Sequence, residues 1–251
     1  MAKQLMIYDN IQPLSSQAHR DYSVSIDSYA FASHLISVPV VATEIPLAAN
    51  EFPIVFSATG KEGEYLPLAI MGIREGENLY INNEGRFATN YVPAFIRRYP
   101  FVLGGDKGSD SMALCIDVDS TAVVKDGAKG ARLFTEAGEQ SDYLKNILEF
   151  LKDYHLRAEM TKTFCALLNK LNLLEPMQAN ITLKGAEQEN VNLTGFYVVN
   201  REKLKAISDE DALDLFKRDG LELIYSHIQS LGGFNRLIKR ASDKLKAAEA
   251  V

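Results

Sequence analysis

The sequence predicts an α+β fold: a mainly antiparallel or mixed sheet in the N-terminal half plus a C-terminal hairpin, packed by a helical C-terminal half. Three observations lead there. Up to about Phe134 the chain consists of short apolar runs punctuated by turn residues. Beyond Ser141 apolar residues recur at helical spacing. Inside that helical half, two apolar runs flank a polar link, as in a hairpin. With 47% apolar and 24% charged residues, 8 Pro and 16 Gly among 251, the chain has material for a core and none of the bias of a disordered one. No linker or composition shift marks a boundary, so residues 1–251 are expected to form a single domain.

In order, strands are predicted at Val38 to Val41, Ile54 to Ser57, Leu66 to Ile73, Leu79 to Ile81 and Met112 to Val118. Gly60-Lys61-Glu62-Gly63, Gly76 and Asn82-Asn83-Glu84-Gly85 separate them with residues that tolerate positive φ, and Asn83-Glu84-Gly85 is the tip of a predicted hairpin. From Ser141, Tyr143, Leu144, Ile147, Leu148, Leu151, Tyr154, Phe164, Leu167, Leu168 and Leu171 predict one long helix or two, ending at Glu175-Pro176. Met177 to Leu183 and Val191 to Val199 form the predicted hairpin, which is expected to join or abut the sheet of the first half. Ser208-Asp209-Glu210-Asp211 has the form of a capping box before Leu213, Leu215 and Phe216. Gly220 is expected to end that helix. A further helix carries Leu221, Ile224, Tyr225, Ile228 and Leu231, and a basic amphipathic helix runs from about Phe234 to Ala248.

Several function classes are disfavoured by composition and spacing. The formal charge of -6 opposes a nucleic-acid-binding role, because phosphate neutralisation needs a basic surface. Val38 to Ala49 is interrupted by Pro39, Glu44 and Pro46 and falls short of the roughly 20 apolar residues of a spanning helix, so no transmembrane segment is predicted. MAKQLMIYDNIQPL lacks the apolar run of a secretory signal, and Cys115 and Cys165 are too few for a disulfide framework, so a reduced, cytoplasmic setting is expected. His19, His34, His155 and His227 fit no metal-ligand spacing. No GxSxG elbow or nucleotide-binding signature occurs, and Leu103 to Ser109 is glycine-rich in the manner of a mobile loop. No cofactor is named by any of these patterns, and no catalytic residue is assigned.

One segment stands out. Tyr91-Val92-Pro93-Ala94-Phe95-Ile96-Arg97-Arg98-Tyr99-Pro100-Phe101 sets two adjacent arginines among aromatics and prolines. Read as extended chain, it points Arg97 and Arg98 in opposite directions, one free for an internal partner and the other for a carboxylate or phosphate. Downstream, Asp117 and Asp119 stand two apart at the end of a predicted strand and are expected to project to the same side, where they suit a hard cation, a shared proton or the capping of a turn. A link from one arginine to one aspartate would account for both structurally. Arg236, Lys239, Arg240, Lys244 and Lys246 give the last helix a basic face, solvated or turned to an acidic partner.

Phe52 to Phe56, Gly72 to Leu79, Tyr91 to Phe101, Leu114 to Asp119, Leu174 to Gln178, Leu193 to Val199 and Leu221 to His227 are spread over most of the chain. In these segments the chain resembles the bacterial SapC-like family, a different kind of protein from the membrane-spanning peptide-import permease that shares the name. Arg86 stands where the resemblance leads one to expect tryptophan. The family name implies an association with bacterial surface layers, and no catalytic residue set comes with it.

These readings converge on a binding or accessory protein that recognises a peptide, a protein partner or a small anionic ligand with Tyr91, Arg97, Arg98, Tyr99, Asp117 and Asp119. Two alternatives stand beside it: an enzyme using the acid pair, Glu75 or Glu77 and His19 on an arginine-held anionic substrate, and an exported surface-layer component. A homo-oligomer is compatible with each.

Overall fold

The computed structural model describes residues 7–105, 112–184 and 188–249. Asp106 to Ser109 of the expected glycine-rich loop, and Gly185, Ala186 and Glu187 of the hairpin link, lie outside the described residues. The strands are β1 (Ile11–Pro13), β2 (Ser23–Val24), β3 (Ser37–Pro39), β4 (Ile54–Ala58), β5 (Tyr65–Ile70), β6 (Phe101–Gly104), β7 (Ala113–Asp117), β8 (Val123–Val124), β9 (Ala131–Arg132), β10 (Leu174–Lys184) and β11 (Gln188–Val199). The α-helices are α1 (Ile45–Ala48), α2 (Ala94–Arg97), α3 (Asp142–Lys170), α4 (Arg201–Lys205), α5 (Asp209–Lys217), α6 (Gly220–Ser230) and α7 (Gly233–Glu249). Every strand pairing is antiparallel, and the fold is α+β.

The contacts divide the chain into two compact units, Met1–Ala32 with Ala94–Leu156, and Ser33–Pro93 with Arg157–Val251. The first holds two three-stranded sheets, β1-β7-β6 and β8-β2-β9. Its core gathers Val24, Phe101, Ile116, Val118, Leu133, Phe134, Leu144 and Leu151. The start of α3 is set locally: the Ser141 hydroxyl accepts from the Leu144 N–H at 3.2 Å and donates to the Arg132 carbonyl at 2.6 Å. Such a cap satisfies one of the donors that a helix start leaves over.

The second unit is built on the five-stranded sheet β10-β11-β4-β5-β3. β11 joins it by pairing Phe196 with Ser57 and Tyr197 with Phe56, so the late hairpin does extend the early sheet. Gly195, at φ 86°, permits the irregularity between Met177 and Ala179 where the hairpin register shifts. Helix α6 is fastened to β4 by polar side chains. His227 donates from Nδ1 to the Ile54 carbonyl at 2.8 Å and accepts at Nε2 from the Val199 N–H at 3.1 Å. Ser230 accepts from the Ile54 N–H at 2.9 Å and donates to the His227 carbonyl. Both backbone groups of Ile54 are thus satisfied from one helix. Burial holds the His227 imidazole down at a pKa of about 4, against the opposing pull of the Ile54 carbonyl.

Three local expectations are revised. The Leu66 to Ile73 strand stops at Ile70, because Met71 and Gly72 both turn their N–H groups to the Ile36 carbonyl. A side chain at Gly72 would place Cβ 1.8 Å from the Glu77 carbonyl oxygen, so only glycine fits there. Leu79 to Ile81 forms no named strand but a single bridge, Ile81 to Phe87, closed by Asn82, whose side chain accepts from the Glu84 and Arg86 N–H groups. Gly220 opens α6 rather than ending α5. Asp219 takes the left-handed conformation at φ 57°, and Gly220 is packed so closely on Leu215 that a Cβ would stand 2.9 Å from Cδ2.

Candidate functional site

The Tyr91 to Phe101 segment is not wholly extended. Ala94–Arg97 makes one helical turn after Pro93, a residue suited to helix starts, and Arg97 and Arg98 leave the end of that turn. Arg97 is exposed, with its guanidinium carbon 5.2 Å from the centre of the Phe150 ring. Arg98 is half-buried, and its guanidinium carbon lies 4.5 Å from the centre of Phe95, 5.0 Å from Tyr154 and 5.8 Å from Tyr8. These rings come from three distant parts of the first unit, whose faces attract the cation. Its Nε is buried and finds no acceptor, and among the described residues no carboxylate pairs with this arginine. The Tyr8 hydroxyl donates to the Phe101 carbonyl at 2.8 Å; burial raises its pKa, and the Arg98 charge opposes that shift.

Tyr99 faces away from solvent. It stacks on Phe31 with ring centres 4.1 Å apart and tilts on Tyr8 at 5.4 Å, and burial raises the pKa of its phenol. Tyr91 belongs to the second unit, where its hydroxyl donates to Glu44 Oε1 while Glu44 Oε2 accepts from the Val41 N–H at 3.0 Å. The six residues singled out from sequence are therefore distributed over both units, five in the first and one in the second.

The acid pair has other work. Asp117, fully buried at the end of β7, accepts from the Asp9 N–H at 2.9 Å, the Asn10 N–H at 3.0 Å and the Asp119 N–H at 3.3 Å. Asp119 lies beyond the strand, accepts from Asn10 Nδ2 at 2.8 Å and stands 3.9 Å from Lys125 Nζ. Both carboxylates tie the segment before β1 to the turn after β7. A carboxylate holding three backbone donors has little capacity left for a cation or a substrate proton. No group of three or more His, Cys, Asp or Glu able to hold a metal occurs among the described residues.

The residues of the alternative catalytic set belong to different units. His19, in the first unit, is buried and closes its own turn, its Nδ1 3.1 Å from the Ser15 N–H. Glu75 is exposed in the second unit, and Glu77 pairs there with Lys244 at 3.0 Å. A cleft of about 390 Å³ in the first unit is lined by Leu14, Ser15, Leu114, Phe134 and Gln140 among others, with no charged side chain. The basic helix α7 is partly committed: Arg236 donates to the Asn50 carbonyl, and Arg240 lies 4.7 Å from the Tyr80 ring centre.

A family model described as SapC matches residues 14–237. The chain belongs to the SapC family. The matched span takes in the Arg97-Arg98 turn, its ring partners Phe95 and Tyr154, both aspartates and the His227 clasp, while Tyr8 stands before it. No curated protein and no solved structure matches this SapC chain. No helix among its described residues is long and apolar enough to cross a membrane.

Tyr8, Phe95, Phe150 and Tyr154 are the site residues that sequence reasoning missed. Phe95 lies within the Tyr91 to Phe101 segment, and Tyr154 lies on the predicted helical stripe, but neither position carries a sequence signal that it would meet Arg98.

Proposed function

We propose that this SapC chain is a binding or accessory protein that recognises an anionic group, the carboxylate of a peptide or protein partner or a small free anion, at the Arg97-Arg98 turn. The observation that carries the reading is Arg98: a half-buried cation set against three aromatic rings, with an orphaned Nε and no carboxylate paired to it among the described residues. A partly desolvated guanidinium without an anion is costly, and an incoming carboxylate or phosphate at its outer nitrogens offsets that cost through charge-assisted hydrogen bonds. Arg97, exposed over Phe150, adds a second cation one residue away. Asp117 and Asp119 support the reading indirectly, by holding the segment that carries Tyr8 close to this turn. A cytoplasmic setting is part of the proposal, supported by two buried thiols that form no disulfide.

The test is native mass spectrometry of the chain purified from its own host, coupled to thermal-shift measurements with inorganic phosphate and with a short peptide bearing a free C-terminus. The wild type is expected to retain an anionic species or gain thermal stability with one of these probes. Arg98→Ala should weaken that binding roughly 10- to 100-fold, the value of one charged hydrogen-bonded contact, with the fold intact. Arg98→Lys, which keeps the charge and loses the fork, should recover little of it. A wild type indifferent to both probes and free of retained anion, or an Arg98→Ala variant that binds as well, would overturn the proposal. Cell fractionation that finds the chain outside the cytoplasm would overturn the compartment.

A further inference from the structure

We propose that the chain forms a two-fold dimer by antiparallel pairing of β10 with β10 of a second copy. The second unit's sheet has two edges, and they are treated differently. The β3 edge is three residues long and ends in Pro39, which blunts it in the usual way. The β10 edge is eleven residues long, and among the described residues it pairs only with β11. From Met177 to Leu183 it has no charge, proline or glycine, in a chain where 24% of residues are charged. Helix α7 packs against β10, but no strand pairs beyond it among the described residues, and an edge of this length presents a row of backbone donors and acceptors to another strand.

The strand's pattern suits its own copy as that partner. Ile181 and Leu183 are buried on the inner face, and Asn180 and Thr182 are exposed on the outer one. In an antiparallel pair, directly opposed residues share a face, so a two-fold axis through any one residue sets inner against inner and outer against outer. An axis at Ile181 opposes Ala179 with Leu183 and Asn180 with Thr182. That second pair repeats one the strand already makes with β11, where Thr182 donates to the Asn190 side chain at 2.9 Å. From Gln178 to Thr182 on β10 and from Asn190 to Thr194 on β11 the outer-face positions are uncharged, and Lys184 comes only after them, so no like charges meet across an axis at 180, 181 or 182.

Sedimentation velocity and light scattering on the full chain test this. The wild type should show a concentration-dependent species of twice the 27.9 kDa chain mass. Asn180→Lys with Thr182→Lys places like charges across the axis, whether it falls at 180, 181 or 182, and should weaken the dimer by roughly tenfold or more. Asn180→Glu with Thr182→Glu should do the same, and an equimolar mixture of the two variants at low salt should restore a dimer. Because these side chains are exposed in the monomer, circular dichroism should be unchanged, and the mixing step separates repulsion from misfolding. The same lysines at Asn190 and Asn192, one strand in from the edge, should leave the dimer in place. A wild type that stays monomeric at every concentration, a dimer indifferent to the edge lysines, or a mixture that stays monomeric would each overturn the proposal.

Discussion

Acidification should strip stability from the second unit through His227. The native imidazole needs its neutral form, because Nε2 accepts the Val199 N–H while Nδ1 donates to the Ile54 carbonyl. Burial holds its pKa at about 4, against roughly 6.5 in the unfolded chain. Between those two values the unfolded chain carries a proton that the native chain lacks, so stability is flat above the upper value and falls as pH drops through the window. Linkage sets the loss at about 2 kcal/mol from pH 7 to pH 5, and about 3 kcal/mol if the window is crossed completely. The assay is urea unfolding followed by circular dichroism at pH 7, 6 and 5, on the wild type and on His227→Gln, which keeps a donor and an acceptor but cannot be protonated. The variant starts less stable at pH 7, and its stability should fall less steeply with acid, by about 2 kcal/mol over this interval. Contributions from His19, His34 and His155 cancel in the comparison. Equal pH dependence in the two proteins would show that His227 is not held neutral, and would refute the reasoning.

Two further outcomes follow from the same accounting of buried groups. Asp117→Ala should destabilise the chain by about 2–4 kcal/mol in urea, since it leaves the Asp9 and Asn10 N–H groups without their acceptor; Asp117→Asn, which retains one oxygen, should cost less. Burial pushes the Cys165 thiol up to about 12 and raises that of Cys115, so neither should react with a disulfide reagent at pH 8 until urea unfolds the chain, and rapid stoichiometric labelling of the native protein would contradict both placements.

What could be read from the chain was local. The cap at Ser208 was readable because donor and acceptor are three residues apart, and its side chain does accept from the Asp211 N–H. The break at Asn82 to Gly85 was readable for the same reason. The long α3 and the late hairpin followed from periodicity, although α3 ends at Lys170 and β10 begins at Leu174 and runs through Pro176, the proline at which the helix was expected to stop. The candidate site was readable in part. The arginine pair was found by its company of aromatics, but its ring partners lie 90 and 56 residues from Arg98, at Tyr8 and Tyr154. The acid pair was found by its spacing. Its partners at Asp9 and Asn10 lie more than a hundred residues upstream, and they turn a pattern that suits a cation into an anchor for the chain's first segment.

The sequence by itself determined the α+β class, the helical half, the helix cap at Ser208 and membership of the SapC family, because each of these rests on residue type and on spacing within a few residues. Only the tertiary structure decided which polar groups are already satisfied. It gave Asp117 three donors, gave both backbone groups of Ile54 to α6, and set Arg98 among rings with no paired carboxylate among the described residues. Whether a charged group is an anchor or a site depends on the partners that reach it once it is removed from water, and folding brings those partners from segments that local pattern cannot relate.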